Sequence, residues 1–515
     1  MLKLKTFSFQ SKITLIFFIG LLCTRLLYSS LYTSFSQDVA RDVLLTENRI
    51  ASHEYIVAYG PKASVWNFYV PPFYYQLHLI VSLLGGNYPL AMKWFTTVIT
   101  TATPIFLLLI LKKFVKFEYA FLAAVFFAFS PTVLSNSVNT WSPTLVPLLS
   151  TIALWAWVLF IKDKKPWAIV GALLATTLAI HLHYQAVMLL PFSLILFAWT
   201  VYKRPSFLKY WLVGIVLSCL TFTPYALAEI NNNFHNTQEI IKFFTLEHSH
   251  YYDQISKPAY VFTFLPGFVE RVLIGLHHNY WLGRLVLYLG LLVLGWVSLK
   301  NKRQERWLLL YFLLIFIMLR IYKGDKLDYY LSTLYILPYV LLAFLYQAFK
   351  LVAVFLSLGL VFLSASFLLK QIPYNDFLSL KEELRPITDT QTHQAKFLIH
   401  DSNDINRFAY GIKHFDQVAY NANSHQLIEL CQNIEWCKWD EISRCIYSRA
   451  YTYASLLKSQ NTYHYIFPKG GLEDIDSKLI ITSFDKPIGI IADYRLYPRL
   501  DGYELDTVLP EAYQW

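Results

Sequence analysis

The sequence predicts a polytopic α-helical membrane protein with a small C-terminal α/β or α+β domain, and three observations predict it. Apolar residues make up 56% of the chain and charged ones 15%, with 39 Phe beside 37 Tyr, a balance that belongs to the membrane class. Apolar runs of about spanning length recur eleven times before residue 370. After residue 370 the composition turns mixed and polar.

The opening MLKLKTFSFQSK gives a basic flank to ITLIFFIGLLCTRLLY. No small-residue cleavage pattern follows, so an uncleaved first span is expected over 13–30. Further spans are expected over 88–111, 118–134, 143–161, 166–182, 185–202, 207–226, 281–299, 306–322, 329–349 and 351–369. With the N-terminus in the cytoplasm, the inner turns are KKFVK (112–116), KDKK (162–165), KR (203–204), KNKRQER (300–306) and Lys350. All are short and basic, as cytoplasmic turns should be. The net charge of +10 is thereby assigned to membrane orientation, and no nucleic-acid partner is expected because the cations do not line one polar face.

The same parity places every long polar segment on the other face: 31–87, the SNSVNT turn (135–140), the HLHYQ turn (181–185), 227–280, the KGDKLD turn (323–328) and everything after 370. A chain with short inner turns and elaborated outer loops does its work at the outer surface. Two domains are therefore expected, a multi-span unit over 1–370 and an extracytoplasmic domain over 371–515.

Within the first outer loop, VPPFYYQLHLIVSLLGG (70–86) opens on two prolines and closes on two glycines. It reads as a helix at the interface with Tyr74, Tyr75 and His78 at headgroup depth. PAYVFTFLPGFVERVLIGL (258–276), interrupted by Pro266 and Gly267, is expected to behave likewise. In the tail, KLIITSF (478–484) and PIGIIADY (487–494) read as strands, and HQLIELCQ and LLKSQ as helices. Cys23 and Cys219 lie in apolar runs and read as small core residues. Cys431, Cys437 and Cys445 crowd the tail without zinc-type spacing, which leaves one disulfide and a spare thiol, or a metal site, as the alternatives.

The residues able to carry chemistry sit at outer turns. Asp38, Arg41 and Asp42 in SFSQDVARDVLL have helical spacings of three and four, which bring two carboxylates and a guanidinium to one face. A charged interfacial helix facing water has the same spacing. A carboxylate whose proton affinity is set by a second acid and an arginine is suited to general-base work, and an arginine binds phosphate in bidentate fashion. His181 and His183 lie two apart, together only if the chain reverses there; His183 is a candidate acceptor or phosphate contact, or a hydrogen-bonded anchor. Glu229 sits where the seventh span emerges, as a site residue or an exposed helix-end acid. Lys323 and Lys326, beside Tyr329 and Tyr330, run against the positive-inside trend and point to an anionic ligand.

Taken in order, SQDVARD, VPPFYYQLHLIVSLLGG, NTWSPTLVPL, HLHYQA, PYALAEINNNFHNT and DYYLSTLYILP resemble the polytopic GT-C glycosyltransferases that use polyprenyl-phosphate sugars. Within them the resemblance is to the bacterial protein-mannosyltransferase and aminoarabinose-transferase-like group, glycosyltransferase family 39-like. It covers about residues 10 to 370; the ordered set carries it, since no single motif is specific. It implies a multi-pass plasma-membrane enzyme with a polyprenyl-phosphate-linked sugar donor and a glycan, lipid or protein acceptor. The acidic residue of the first outer loop, the expected catalytic group, maps onto Asp38. The family's frequent Asp-Glu pair is Asp38-Val39 here, so Asp42 is the one nearby acid to take a second catalytic role. Arg41, Lys323, Lys326, Tyr329 and His183 are then expected at the donor phosphate, and Tyr74, Tyr75 and Glu229 at acceptor or lipid. The chemistry requires no metal or other cofactor, since basic side chains can neutralise the leaving phosphate. Asn-x-Ser/Thr sequons are absent, in keeping with a bacterial membrane. A secondary transporter and a non-catalytic glycan-assembly protein on the same scaffold are the alternative readings.

Overall fold

A computed structural model describes residues 9–34, 37–63, 68–86, 88, 90–245, 256–275, 280–300, 304–322, 328–375 and strand segments beyond 394. The chain divides into two compact units, one of 1–32 with 49–373 and one of 33–48 with 374–515.

The first unit is helical. In order it runs α1 (Phe9–Leu31), α2 (Gln37–Ala51, most of which belongs to the second unit), α3 (Phe73–Leu84), α4 (Ala91–Leu111), α5 (Phe117–Ala128), α6 (Pro131–Val138), α7 (Ser142–Asp163), α8 (Ala168–Leu182) and α9 (Tyr184–Lys203). There follow α10 (Pro205–Thr221), α11 (Thr223–Asn231), α12 (His235–Thr245), α13 (Leu265–Ile274), α14 (Trp281–Lys300), α15 (Glu305–Ile321), α16 (Tyr329–Ala348) and α17 (Lys350–Leu369). Helices thus lie at each position where an apolar run predicts a span. Among the described residues six are long and apolar enough to cross a membrane, α1, α4, α7, α9, α14 and α16, or eight if the bent pairs α5–α6 and α10–α11 each count as one span. This is a multi-pass membrane protein.

The bends have local causes. The predicted straight span over 118–134 ends at Ala128, and Pro131 opens α6 at an angle of 55°. Ser130 caps α6, its Oγ accepting from Val133 N at 3.3 Å and donating to Val272 O at 2.5 Å. Proline is tolerated in a first turn, where its missing N–H would lack a partner anyway. Pro224 opens α11 in the same way, 53° off α10.

The core is apolar and aromatic. α16 is the central strut, with nine-tenths of its apolar stretch buried. Gly290 lets α14 pack onto it, since a Cβ there would stand 2.6 Å from Leu341 Cβ. Trp157 stacks on Trp211 at 5.5 Å, and Phe127 meets Tyr339 edge-on at 5.3 Å.

Three expectations about surfaces are corrected. α3 does not lie at a lipid surface along its aromatic face: Tyr74, Tyr75, His78 and Leu79 are buried, and its exposed residues are Ile80, Leu83 and Leu84. In α13 Pro266 sits in the first turn and breaks nothing, and every residue but Arg271 is buried. Gly283 comes so close to Pro266 O that no side chain would fit there. Cys23 and Cys219 are exposed on the helices, not core residues.

The basic turns at 112–116, 162–165 and 300–306 meet at one end of this unit. Lys113 Nζ donates to Asp163 Oδ2 at 2.7 Å, Lys162 Nζ donates to Lys113 O and stands 3.8 Å from Glu305, and Lys116 N donates to Gln347 Oε1 at 2.9 Å. α7 runs from this end, at Asp163, to the opposite end at Ser142, a distance of roughly 30 Å at 1.5 Å per helical residue.

In the second unit six strands form one mixed sheet: β1 (Ala395–Ile399), β2 (His425–Leu430), β3 (Thr452–Leu456), β4 (Thr462–Pro468), β5 (Gly489–Ile491) and β6 (Tyr494–Pro498). Their order is β2-β3-β1-β4-β6-β5. β1 and β4 are parallel, Phe397 opposite His464, and the other pairs are antiparallel. HQLIEL is therefore a strand, contrary to the helix expected, and the PIGIIADY strand is shortened to Gly489–Ile491. KLIITSF, most of LLKSQ, and the cysteines at 431, 437 and 445 lie outside the described residues.

Candidate functional site

At the end of the bundle opposite the basic turns, the chain leaves α8 at His183, whose backbone is extended (φ −158°, ψ 122°). This single residue separates two side chains the sequence left side by side. His181 stays on α8, where Nε2 meets Thr221 Oγ1 at 3.1 Å and the ring packs 4.2 Å from Phe222. His183 turns instead to Tyr330 and Tyr329, with ring centroids at 4.8 and 6.2 Å, while its Nδ1 accepts from Gln185 N at 3.4 Å. The two imidazoles do not pair. Burial lowers the pKa of His183 to about 4, so the ring is neutral at physiological pH.

Tyr329 and Tyr330 stand 4.4 Å apart at the start of α16, and Trp141 packs 4.4 Å from Tyr329. The neighbouring Thr140 O accepts from Tyr74 Oη at 2.9 Å. Two of the expected phosphate contacts, His183 and Tyr329, therefore share one aromatic cluster with Trp141 and Tyr330. Tyr74, expected at acceptor or lipid, is wholly buried with its hydroxyl bound to the backbone, so it braces the turn that carries Trp141. Tyr75 is buried beside it, its ring 5.6 Å from that of Tyr74. Among the described residues, three buried polar atoms here, Thr140 Oγ1 and both side-chain ends of Gln185, have no hydrogen-bond partner, and neither does Trp141 Nε1.

A second network ties the segment between α2 and α3 to the segment after α11. Glu229, buried, accepts from Tyr59 Oη at 2.8 Å and, on its other oxygen, from Thr237 N at 2.7 Å and Thr237 Oγ1 at 2.6 Å. Asn236 receives Tyr69 N at 2.6 Å and donates to Tyr69 O at 3.0 Å and to Tyr225 Oη at 2.5 Å. Tyr184 donates to Tyr69 O at 3.0 Å. Burial, with Glu229 adding to it, raises the pKa of Tyr59 to about 12, so its proton stays in the bond to the carboxylate. Glu229 is thus not the exposed acid of a helix end. Both its oxygens hold protein.

Asp38, Arg41 and Asp42 lie on α2, where three- and four-residue spacing gives them one face of the helix. Asp42 is buried, and its carbonyl accepts from Thr46 Oγ1 at 2.7 Å. The side chains of Asp38 and Arg41, and Lys323 and Lys326 as whole residues, lie outside what the structure describes. Sequence reading missed Trp141, Tyr59, Tyr69, Tyr225 and Asn236. Trp141, Tyr225 and Asn236 lay inside motifs read as whole stretches, whereas Tyr59 and Tyr69, two tyrosines among 37, carry no signal of their own.

No model of a known protein family and no curated protein matches the sequence. Solved structures similar to the chain include ArnT from Cupriavidus metallidurans bound to undecaprenyl phosphate, with a TM-score of 0.46 and 14% identity over 74% of this chain and 66% of that one. ArnT from the same organism in the apo state gives 0.44 and 14% over 65% and 59%. The Archaeoglobus fulgidus oligosaccharyltransferase in the apo form gives 0.44 and 12% over 73% and 59%. The chain spans about three fifths to two thirds of the length of these proteins.

Proposed function

We propose that the protein is a glycosyltransferase that moves a sugar from a polyprenyl-phosphate donor to an acceptor hydroxyl at the extracytoplasmic face of a bacterial plasma membrane. The N-terminus is cytoplasmic in this reading and the segment after residue 370 extracytoplasmic. The observation that carries it is the gathering of motif turns at one end of α7: Trp141 of NTWSP, His183 of HLHYQ, Tyr329 of DYYLS and Tyr74 of PPFYY meet there, away from the basic turns.

In the reaction the acceptor oxygen bonds to the anomeric carbon as the bond from that carbon to the phosphate oxygen breaks. The acceptor's proton goes to Asp38 and the polyprenyl phosphate leaves, with inversion. Arg41, Lys323 and Lys326 neutralise the departing phosphate, while Tyr329 and the neutral His183 supply polar ring edges beside it. Asp42 tunes Asp38, and Glu229 positions the loop that borders the acceptor path.

The test is transfer by the purified protein from polyprenyl-phosphate sugars, with mass spectrometry of cell-envelope glycans in strains with and without the gene. A glycan lost with the gene and rebuilt by the protein from a lipid-phosphate donor is the expected result; unchanged glycans and no transfer from any such donor would reject the reading. Two bent helix pairs and a buried arginine are also features of transporters, and flux of the lipid-linked sugar across proteoliposomes without transfer would favour that class.

A further inference from the structure

α1 touches the rest of its unit along one narrow stripe. Only Leu21, Arg25 and Ser29 are buried on it, spaced by four, while Leu15, Ile16, Ile19 and Leu27 are exposed. In a membrane such exposed faces meet lipid. The stripe faces a polar row on α4, where Lys93, Thr96, Thr97 and Thr100 are all buried. Lys93 Nζ donates to Ser29 O, Thr97 Oγ1 donates to Ser29 Oγ at 3.2 Å, and Arg25 Nη1 donates to Thr100 Oγ1 at 3.2 Å.

Among the described residues that last bond is the only one on the Arg25 side chain. Among the described residues its buried Nε and Nη2 have no hydrogen-bond partner, and no carboxylate pairs with it. These two nitrogens form the side-on fork of the guanidinium, the edge that matches the spacing of two oxygens on a phosphate or carboxylate. The position rules out escape to water: Arg25 is six residues short of the helix end at Leu31, roughly 9 Å along the axis, and is 1% exposed. The threonines cannot neutralise it, because Thr96, Thr100 and Thr101 donate their protons to carbonyls of their own helix. A desolvated guanidinium with an open fork calls for an oxyanion.

We propose that the Nε–Nη2 edge of Arg25 receives the phosphate of a lipid-borne phosphate monoester entering between α1 and α4. Lys93 adds positive potential further along the seam, Thr100 fixes the guanidinium plane, and the lipid chain lies on the exposed apolar faces of α1. The identity of that lipid as a polyprenyl phosphate rests on the transferase reading; the phosphate site does not. None of the residues assigned to sugar transfer takes part in it.

The test measures binding of undecaprenyl phosphate, dioleoyl phosphatidic acid and inorganic phosphate to the full chain in nanodiscs, for wild type, Arg25→Gln, Arg25→Lys and Thr100→Val. Undecaprenol serves as the phosphate-free control. We expect Arg25→Gln to weaken both lipid phosphates about tenfold or more, since a bidentate charged contact is lost, and Arg25→Lys and Thr100→Val to fall between. Undecaprenol binding is unchanged by all three, and millimolar inorganic phosphate does not displace the lipids. Wild-type affinity in both Arg25→Gln and Thr100→Val, each monodisperse, overturns the site; displacement by inorganic phosphate overturns its lipid-borne nature. The two proposals fail separately: weakened lipid-phosphate binding in Arg25→Gln with no sugar transfer by the wild type keeps the Arg25 site and rejects the transferase reading, whereas wild-type binding in Arg25→Gln with transfer by the wild type does the reverse.

Discussion

At the end of the bundle where Lys113, Lys162, Asp163 and Glu305 meet, charge is settled within the protein: each cation has a carboxylate or carbonyl, and the pairs are partly open to solvent. At the other end the described groups facing one another are rings, hydroxyls and amides, with Glu229 the buried carboxylate of the network. Among the described residues, several polar atoms there are left without partners. The first arrangement fixes orientation and helix spacing and asks for no ligand. The second carries a desolvation cost that a polar ligand would relieve.

The comparison can be broken most severely at Glu229. Glu229→Ala removes one carboxylate and strands Tyr59 Oη, Thr237 N and Thr237 Oγ1, a loss of about 2–4 kcal/mol. Thermal unfolding should show it, together with proteolysis in the 232–245 segment; Glu229→Gln should recover part of it. An unshifted melting point for Glu229→Ala would mean that the network does not hold this end.

Trp141→Ala and Tyr329→Ala come next. On the transferase reading each lowers transfer by roughly 10- to 100-fold, chiefly through donor KM, because they border the leaving group without exchanging its proton. A loss confined to stability with unchanged kinetics would make the cluster a structural one.

A smaller effect is tied to pH. The folded pKa of His183 lies below its unfolded value of about 6.5. Below pH 6.5 the unfolded chain binds a proton the folded one refuses, so stability is complete above pH 6.5 and declines toward pH 4. His183→Phe should flatten that decline in a comparison of melting temperatures at pH 7.5 and 5. The smallest effect belongs to the basic end: Lys113→Ala or Asp163→Ala, each side chain about a third exposed, should cost under about 1 kcal/mol and leave transfer unchanged.

The helix positions and the sorting of turns to two ends were legible because short basic turns and apolar runs report directly on a bilayer. The bends at Pro131 and Pro224 were not, since proline in a first turn satisfies helix geometry and a hydropathy window averages across the break. The burial of Tyr74 and Tyr75 was hidden for a related reason. Lipid and protein interior are equally apolar, so composition cannot tell which of them a face meets. HQLIEL failed because a short apolar run fits both periods, and sheet pairing decided it. His183 and Tyr329, singled out separately in the sequence, lie as ring neighbours in the fold, while Trp141 was passed over inside a motif read as a whole and Arg25 inside a run read only for hydropathy.

The most direct test of the account is transfer by Asp38→Asn, folded to the wild-type melting point, from a polyprenyl-phosphate sugar that the wild-type protein uses. Loss of the base predicts a fall in kcat of at least about 10²-fold with donor binding retained. Transfer at the wild-type rate would contradict it, because no proton acceptor on α2 would then be needed.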